Sequence, residues 1–317
     1  MPILAQEYQP AQLSAEETAK VVGETVAVLG RTLAASSRVE GYAWLAVGSA
    51  GPLYQSGQMR FSTQDSQGGR AVQSSYNLAF EGFGAAVHCE RDTYNIGQRG
   101  TTEEALVAVG GGQALQKLIR KDGEVRTEAA TPDTVAAMAR ATGSLVRRHQ
   151  MPQPQLDTLV AQGGLHPERI VPLVGSILDV IGLKLATPED DSVSAWISTH
   201  LNSGGRVLHT RTGAPHNVEF TMDRQTGDRA KFKFTFTSAD GGLRIAQARC
   251  VSKVMQPNGN TVENVVLQDG SRLWRVRMAS RVGMHATVAR EPITNDRTIL
   301  HMARSAVLAQ DTPELAI

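Results

Sequence analysis

Residues 229–242, RAKFKFTFTSADGG, alternate with a period of two: Phe232, Phe234 and Phe236 fall on one side, and Lys231, Lys233, Thr235 and Thr237 on the other. Successive side chains leave a strand on opposite faces, whereas a helix would scatter the three rings around its axis. The segment therefore reads as a β-strand with one apolar face to bury, and Asp240-Gly241-Gly242 turns the chain back. One such strand is not stable alone, so it needs paired neighbours and a layer to cover the rings.

The neighbours are marked by their turns. QTGD, ADGG, PNGN and QDG punctuate residues 205–290, and Asn258-Gly259 and Asp269-Gly270 are dipeptides that type I′ hairpin turns favour. The spacing predicts strands over 206–211, 216–223, 229–238, 243–255, 261–268, 271–281 and 284–290. A last helix over about 295–309 presents Ile299, Met302 and Ala306.

Toward the N-terminus, Ser14 and Glu17 form a capping box, followed by Val22, Val26, Leu29 and Leu33 on one helical face. Residues 42–94 read as three or four short antiparallel strands. Helices are expected at TTEEALVAV, with Thr102 as cap, and at QALQKLIRK, which stops at Asp122-Gly123. A further helix opens at Thr131-Pro132, where proline fits the first turn. HPERIVPLVGSILDVIGLKL presents Ile170, Val174, Ile177, Ile181 and Leu185, and TPEDDSVSAWISTHL reads as a helix with acids in its first turn. The breaker-rich MPQPQ at 151–155 separates residues 1–150 from 156–317. The class is α+β: antiparallel β-meanders with packed helices, and a C-terminal sheet of about six to seven strands followed by one helix. No internal repeat stands out.

Several chemistries find no motif. Gly110-Gly111-Gly112 matches neither phosphate-loop nor dinucleotide fingerprints and reads as a connection. Ser49 lies in GSxG spacing rather than a nucleophile elbow. His88 and Cys89 are adjacent, so on a strand they point apart; Cys250 reads as a small buried apolar residue. His209 and His216 flank a turn without a third ligand, and Glu189, Asp190 and Asp191 are accounted for by a helix dipole. No metal or cofactor is expected. The two cysteines imply no disulfide framework, and no secretory leader or membrane span is expected, so the chain reads as cytoplasmic or part of an intracellularly assembled particle.

Charge is the remaining signal. Residues 201–290 hold 14 Lys and Arg against six Asp and Glu, an excess of +8 in a chain of net +1, so the rest carries −7. The basic residues sit on the meander: Arg229, Lys231 and Lys233 with Thr235 on one strand, Arg244, Arg249 and Lys253 on the next, and Arg275 and Arg277 on another. Arg249 and Lys253 share a parity that Arg244 does not. Such a surface suits phosphate contacts, which give affinity without sequence reading; strands with a wet face carry the same residues.

Three functions follow. The first is a non-enzymatic, self-associating assembly protein that binds RNA or DNA backbone through its basic sheet. Its ending, a charged antiparallel meander followed by one amphipathic helix, resembles small RNA-phage coat proteins in element order alone, which implies a viral or mobile-element particle component. The second is an enzyme with a dispersed site around His216, Asp223, Arg224 and Asp228. The third is a protein-interaction adaptor whose positive patch meets an acidic protein. The first is preferred.

Overall fold

The structure of the chain is a computed structural model. It describes residues 10–35, 39–48, 56–67, 70–82, 86–95, 101–109, 114–143, 167–187, 192–202, 215–223, 229–239, 242–253, 261–269, 272–281, 284–292 and 297–307. The side chains of 242–253 and 261–269, and of His216, Asp223 and Arg229, lie outside what is described.

The elements are β1 (Ala11–Gln12), α1 (Ala15–Ala35), β2 (Val39–Gly48), β3 (Ser56–Gln67), β4 (Arg70–Glu81), β5 (Ala86–Asn95), β6 (Thr101–Val109), β7 (Ala114–Lys121), β8 (Glu124–Ala130) and α2 (Asp133–Gly143). There follow α3 (Pro167–Ala186), β9 (Ser192–Asn202), β10 (Pro215–Asp223), β11 (Arg229–Ala239), β12 (Gly242–Lys253), β13 (Thr261–Asp269), β14 (Arg272–Arg281), β15 (Met284–Pro292) and α4 (Arg297–Val307). Among the described residues, 15 strands make one sheet in the order β15-β14-β13-β12-β11-β10-β9-β2-β3-β4-β5-β6-β7-β8, with β1 pairing β5. Every pairing is antiparallel. The α+β class with meanders holds. No described helix is long and apolar enough to cross a membrane.

The element order is duplicated. Among the described residues each half runs a long helix, seven meandering strands and an 11-residue helix, and the two meanders meet where β2 pairs β9. Counting outward from the central pair Leu45↔Ile197, one inner row runs Leu45, Gly57, Phe80, Val87 and its counterpart Ile197, Val218, Phe234, Ala248. The next inner row pairs Ala43, Met59, Leu78 and Cys89 with Ala195, Phe220, Phe232 and Cys250. Ala43-Trp44-Leu45 thus matches Ala195-Trp196-Ile197, and Met138-Ala139-Arg140 in α2 matches Met302-Ala303-Arg304 in α4. The repeat that does not stand out in the sequence is one of topology.

The long helices touch at glycine. A Cβ built on Gly30 would lie 2.5 Å from the Gly175 carbonyl oxygen, and one on Gly175 2.6 Å from the Gly30 carbonyl oxygen. Gly23 stands in the same relation to Gly182, its Cβ position 2.7 Å from that carbonyl oxygen. Both helices carry glycine seven residues apart, so the same face returns after two turns and the backbones pack without side chains between them. Val22, Val26, Leu29 and Leu33 of α1, and Val174, Ile177, Ile181 and Leu185 of α3, are buried in one core with Phe232, Phe234 and Phe236; the side chain of Ile170 lies outside the described residues. Ser14 and Glu17 form the expected capping box, each backbone N–H donating to the other's side chain at 2.9 and 3.1 Å. Ile299, Met302 and Ala306 of α4 are buried.

Three helix expectations fail. TTEEALVAV and QALQKLIRK are β6 and β7, and the segment after Thr187-Pro188 contains β9. In β6 and β7 Glu, Ala, Leu and Lys favour helix locally, but pairing on both sides overrides a weak propensity. In β9 the alternation is plain in three dimensions: Val193, Ala195, Ile197 and Thr199 are buried while Trp196 is exposed. Asp122-Gly123, read as a helix stop, has φ of 53° and 88°, the left-handed pair of a two-residue hairpin turn between β7 and β8. The expected strand 206–211, the 151–155 breaker and the Gly110–Gly112 triplet lie outside the described residues.

Candidate nucleic-acid interface

Among the described residues the helices cover the face that carries the phenylalanines, and no helix lies on the opposite face of the central strands. On β11 the burial alternates as the sequence requires: Phe232, Phe234 and Phe236 are fully buried, while Lys231 and Lys233 keep 42% and 33% of their side chains exposed. Glu219 of β10 forms ion pairs with both, a close one with Lys231 and one at 3.6 Å with Lys233. Thr235 donates to Asn217 Oδ1 at 2.9 Å. Glu219 itself keeps only 18% of its side chain in solvent, so the lysine ammonium groups are the accessible side of both pairs.

Directly opposed residues of antiparallel strands share a face, which assigns the other cations. Lys233 stands opposite Arg249, and Arg229 opposite Lys253. A register irregularity between Thr235 and Phe236 brings Arg244 opposite Thr237, cancelling its mismatch with Arg249 and Lys253. These positions share the lysine face, although the side chains of Arg229, Arg244, Arg249 and Lys253 lie outside the described residues. Arg275 and Arg277 do not join them. The row Phe234, Ala248, Val266, Arg275 and the row Phe232, Cys250, Asn264, Arg277 put both arginines on the phenylalanine face, where Arg275 donates to Glu291 at 2.7 Å.

Two features escaped the sequence reading. Trp44 and Trp196 are 49% and 45% exposed on the lysine face. Trp196 stands opposite Glu219, which stands opposite Lys233, so one row runs Trp196, Glu219, Lys233, Arg249. At the far edge of that face Arg290 lies 4.3 Å over the ring of Trp274. The tryptophans look like core formers in sequence, and only the strand assignment of 192–202 turns Trp196 outward.

The duplication supplies an internal comparison. The N-terminal counterpart of the row Trp196, Glu219, Lys233, Arg249 is Trp44, Gln58, Ala79, His88, and Asn77 occupies the place of Lys231. In the N-terminal half of the face three acids converge on β5 and β6, with Arg60 on β3 and Arg120 on β7 to either side. Asp92 stands opposite Glu103, with Glu90 two residues away on the same side. Burial, then Glu103 and Glu90, pushes the Asp92 carboxyl above its usual value. Glu90 Oε1 and Glu103 Oε2 are buried without a hydrogen bond, although His88 Nε2 lies 3.1 Å from Glu90 Oε1. A carboxyl whose folded pKa is raised takes up its proton before the unfolded chain does, so Asp92 costs stability at neutral pH and less as pH falls through that pKa. Asp92→Asn is therefore expected to raise the melting temperature at pH 7, with the gain shrinking toward pH 4; a lowered melting temperature at pH 7 would contradict this electrostatic picture.

Beneath α2, Arg91 donates to Glu104 at 2.9 Å and to Thr142 at 3.1 Å, and Lys117 lies 3.0 Å from Glu104. Burial pushes the Glu104 carboxyl up, but the two cations outweigh it and hold the group below its usual value. This network ties a helix end to the sheet and faces away from the lysines. Cys89 is fully buried, and its thiol is pushed up to about 12 by burial, so it stays protonated. His216 and Asp223 belong to β10, but their side chains, with Arg224 and Asp228, lie outside the described residues. Among the described residues no three His, Cys, Asp or Glu are placed to hold a metal ion.

No known protein family, curated protein or solved structure matches the chain.

Proposed function

We propose that the protein is a non-enzymatic, self-associating assembly protein that holds nucleic-acid backbone on the sheet face opposite the helices in its C-terminal half, as a viral or mobile-element particle component inside the cell would. The observation that carries the reading is the one-sided charge. Two equivalent faces flank the central strands: one carries the positions Lys231, Lys233, Arg249 and Lys253 where the other carries Asn77, Ala79, His88 and Asp92, and Arg60 opposite Asn77 offsets only part of that difference. A merely wet face needs no such bias, whereas a polyanion is drawn to one lobe over the other. Self-association has a route in the sheet ends: β8 and β15 terminate the strand order, and an edge strand presents unpaired backbone groups to another copy.

The test is binding of a fluorescein-labelled 20-nucleotide single strand, followed by anisotropy at low salt. Lys231→Glu with Lys233→Glu is expected to weaken binding by at least about tenfold and to flatten the salt dependence by roughly two contacts' worth. Arg275→Gln with Arg277→Gln, on the other face, leaves binding unchanged. Equal binding by the lysine variant and the parent removes these residues from the site. Binding of an acidic protein in place of nucleic acid turns the reading to an adaptor.

A further inference from the structure

Trp44 and Trp196 occupy equivalent positions in the two halves and lie diagonally across the central strand pair: Trp44 is opposite Ser198, and Trp196 is two residues along. Diagonal neighbours of this kind stand about 7–8 Å apart. Bases along one strand repeat at about 3.4 Å, so the pair spans the thickness of one base held between two rings or two bases stacked side by side. Both rings are nearly half-exposed although the buried positions beside them, Ala43, Leu45, Ala195 and Ile197, satisfy the core. Neither indole is needed to bury that core.

We infer that Trp44 and Trp196 form a stacking platform for unpaired bases, and that the ligand of this face is single-stranded rather than duplex nucleic acid. The inference rests on the backbone-binding reading above and specifies its substrate class. The two features divide the work. Trp196 adjoins Glu219, which is paired to Lys231 and Lys233, so a strand with its phosphates on the lysines brings its bases over the central strands. A duplex keeps its bases paired inside and offers the indoles nothing to stack on, whereas every unpaired base has a π-face regardless of sequence. The aromatic platform is shared by both halves and the phosphate strip belongs to one, which lays the strand across the dyad from the basic side.

The experiment titrates the full chain with dT12, rU12, a 12-base-pair DNA duplex and inorganic polyphosphate, reading intrinsic tryptophan fluorescence and anisotropy. Parent protein is expected to bind dT12 or rU12 at least about tenfold tighter than the duplex, with quenching, the two single strands deciding between DNA and RNA. Trp44→Ala with Trp196→Ala is expected to lose about tenfold to a hundredfold of single-strand affinity, as base–aromatic stacking contributes about 1–3 kcal/mol per base, and to bind polyphosphate like the parent. Both indoles keep nearly half their surface in solvent, so the double variant is expected to remain folded, with the parent's far-UV circular dichroism, when affinity is lost. Equal affinity for duplex and single strand, or unaltered single-strand binding by the double variant, overturns the platform while the lysine-dependent backbone reading stands. Absence of binding to every polyanion overturns both. A double variant that changes the oligomeric state in light scattering, with no effect on nucleic acid, assigns the indoles to a second copy and overturns the platform.

Discussion

Replacing Gly30 with leucine is expected to strip the native state of a large part of its stability. The helix backbones of α1 and α3 approach so closely that even a methyl group at Gly30 meets the Gly175 carbonyl oxygen at 2.5 Å, with backbone rather than a flexible side chain in the way. Overpacking in a core usually costs about 1–3 kcal/mol and more where nothing can yield, so a leucine here is expected to exceed about 3 kcal/mol. Gly30→Ala separates the causes more sharply. Helix propensity alone makes it stabilising by about 1 kcal/mol, whereas the close approach makes it destabilising. Urea denaturation of the alanine variant decides: a midpoint above that of the parent means the helices do not meet backbone to backbone.

Phe234→Ala is expected to cost about 3–5 kcal/mol. The ring is fully buried and packs against Phe236 with centroids 5.6 Å apart. It stands opposite Val218 and Ala248 in the inner row that reaches Leu45 across the dyad. Removing it opens a void beneath the lysines without touching them. A melting temperature within a degree of the parent would mean that the two faces of β11 are reversed, and the lysine interface would fall with them.

The C-terminal meander was legible because its signals are local. Alternation in RAKFKFTFTSADGG and the Asn-Gly and Asp-Gly turns fix strand and face within a few residues. The strands β6 and β7 were not legible, since their Glu, Ala, Leu and Lys also suit a helix and pairing with adjacent strands decides; β9 alternates strand formers, a signal outweighed by the Thr-Pro opening and acids that precede it. The duplication hides for a related reason. A strand position asks for little more than an apolar residue on the inner side, so Met59 answers to Phe220 and Leu78 to Phe232, and the halves drift apart in sequence while the register stays equivalent. Glycines inside α1 and α3 read as weak points of a helix until a partner backbone is seen against them.

The basic residues were visible as a list, not as a surface. Parity along one strand correctly links Lys231 with Lys233, but parity cannot be carried across strands whose pairing is unknown. The register therefore sends Arg275 and Arg277 to the other face and brings Arg244 back. Trp44 and Trp196 were missed because large aromatic residues are read as core, and the N-terminal acidic cluster because Glu90, Asp92 and Glu103 converge only when β5 and β6 pair.

The most direct test of the proposed assembly and nucleic-acid binding is size-exclusion chromatography of the untreated protein with light scattering and absorbance at 260 and 280 nm across the peak. The expected result is a multimer with a raised 260/280 ratio that falls after nuclease or high salt, when counterion release no longer favours the phosphate contacts. A monomer with a protein-like ratio that takes up no added single strand at low salt would contradict it.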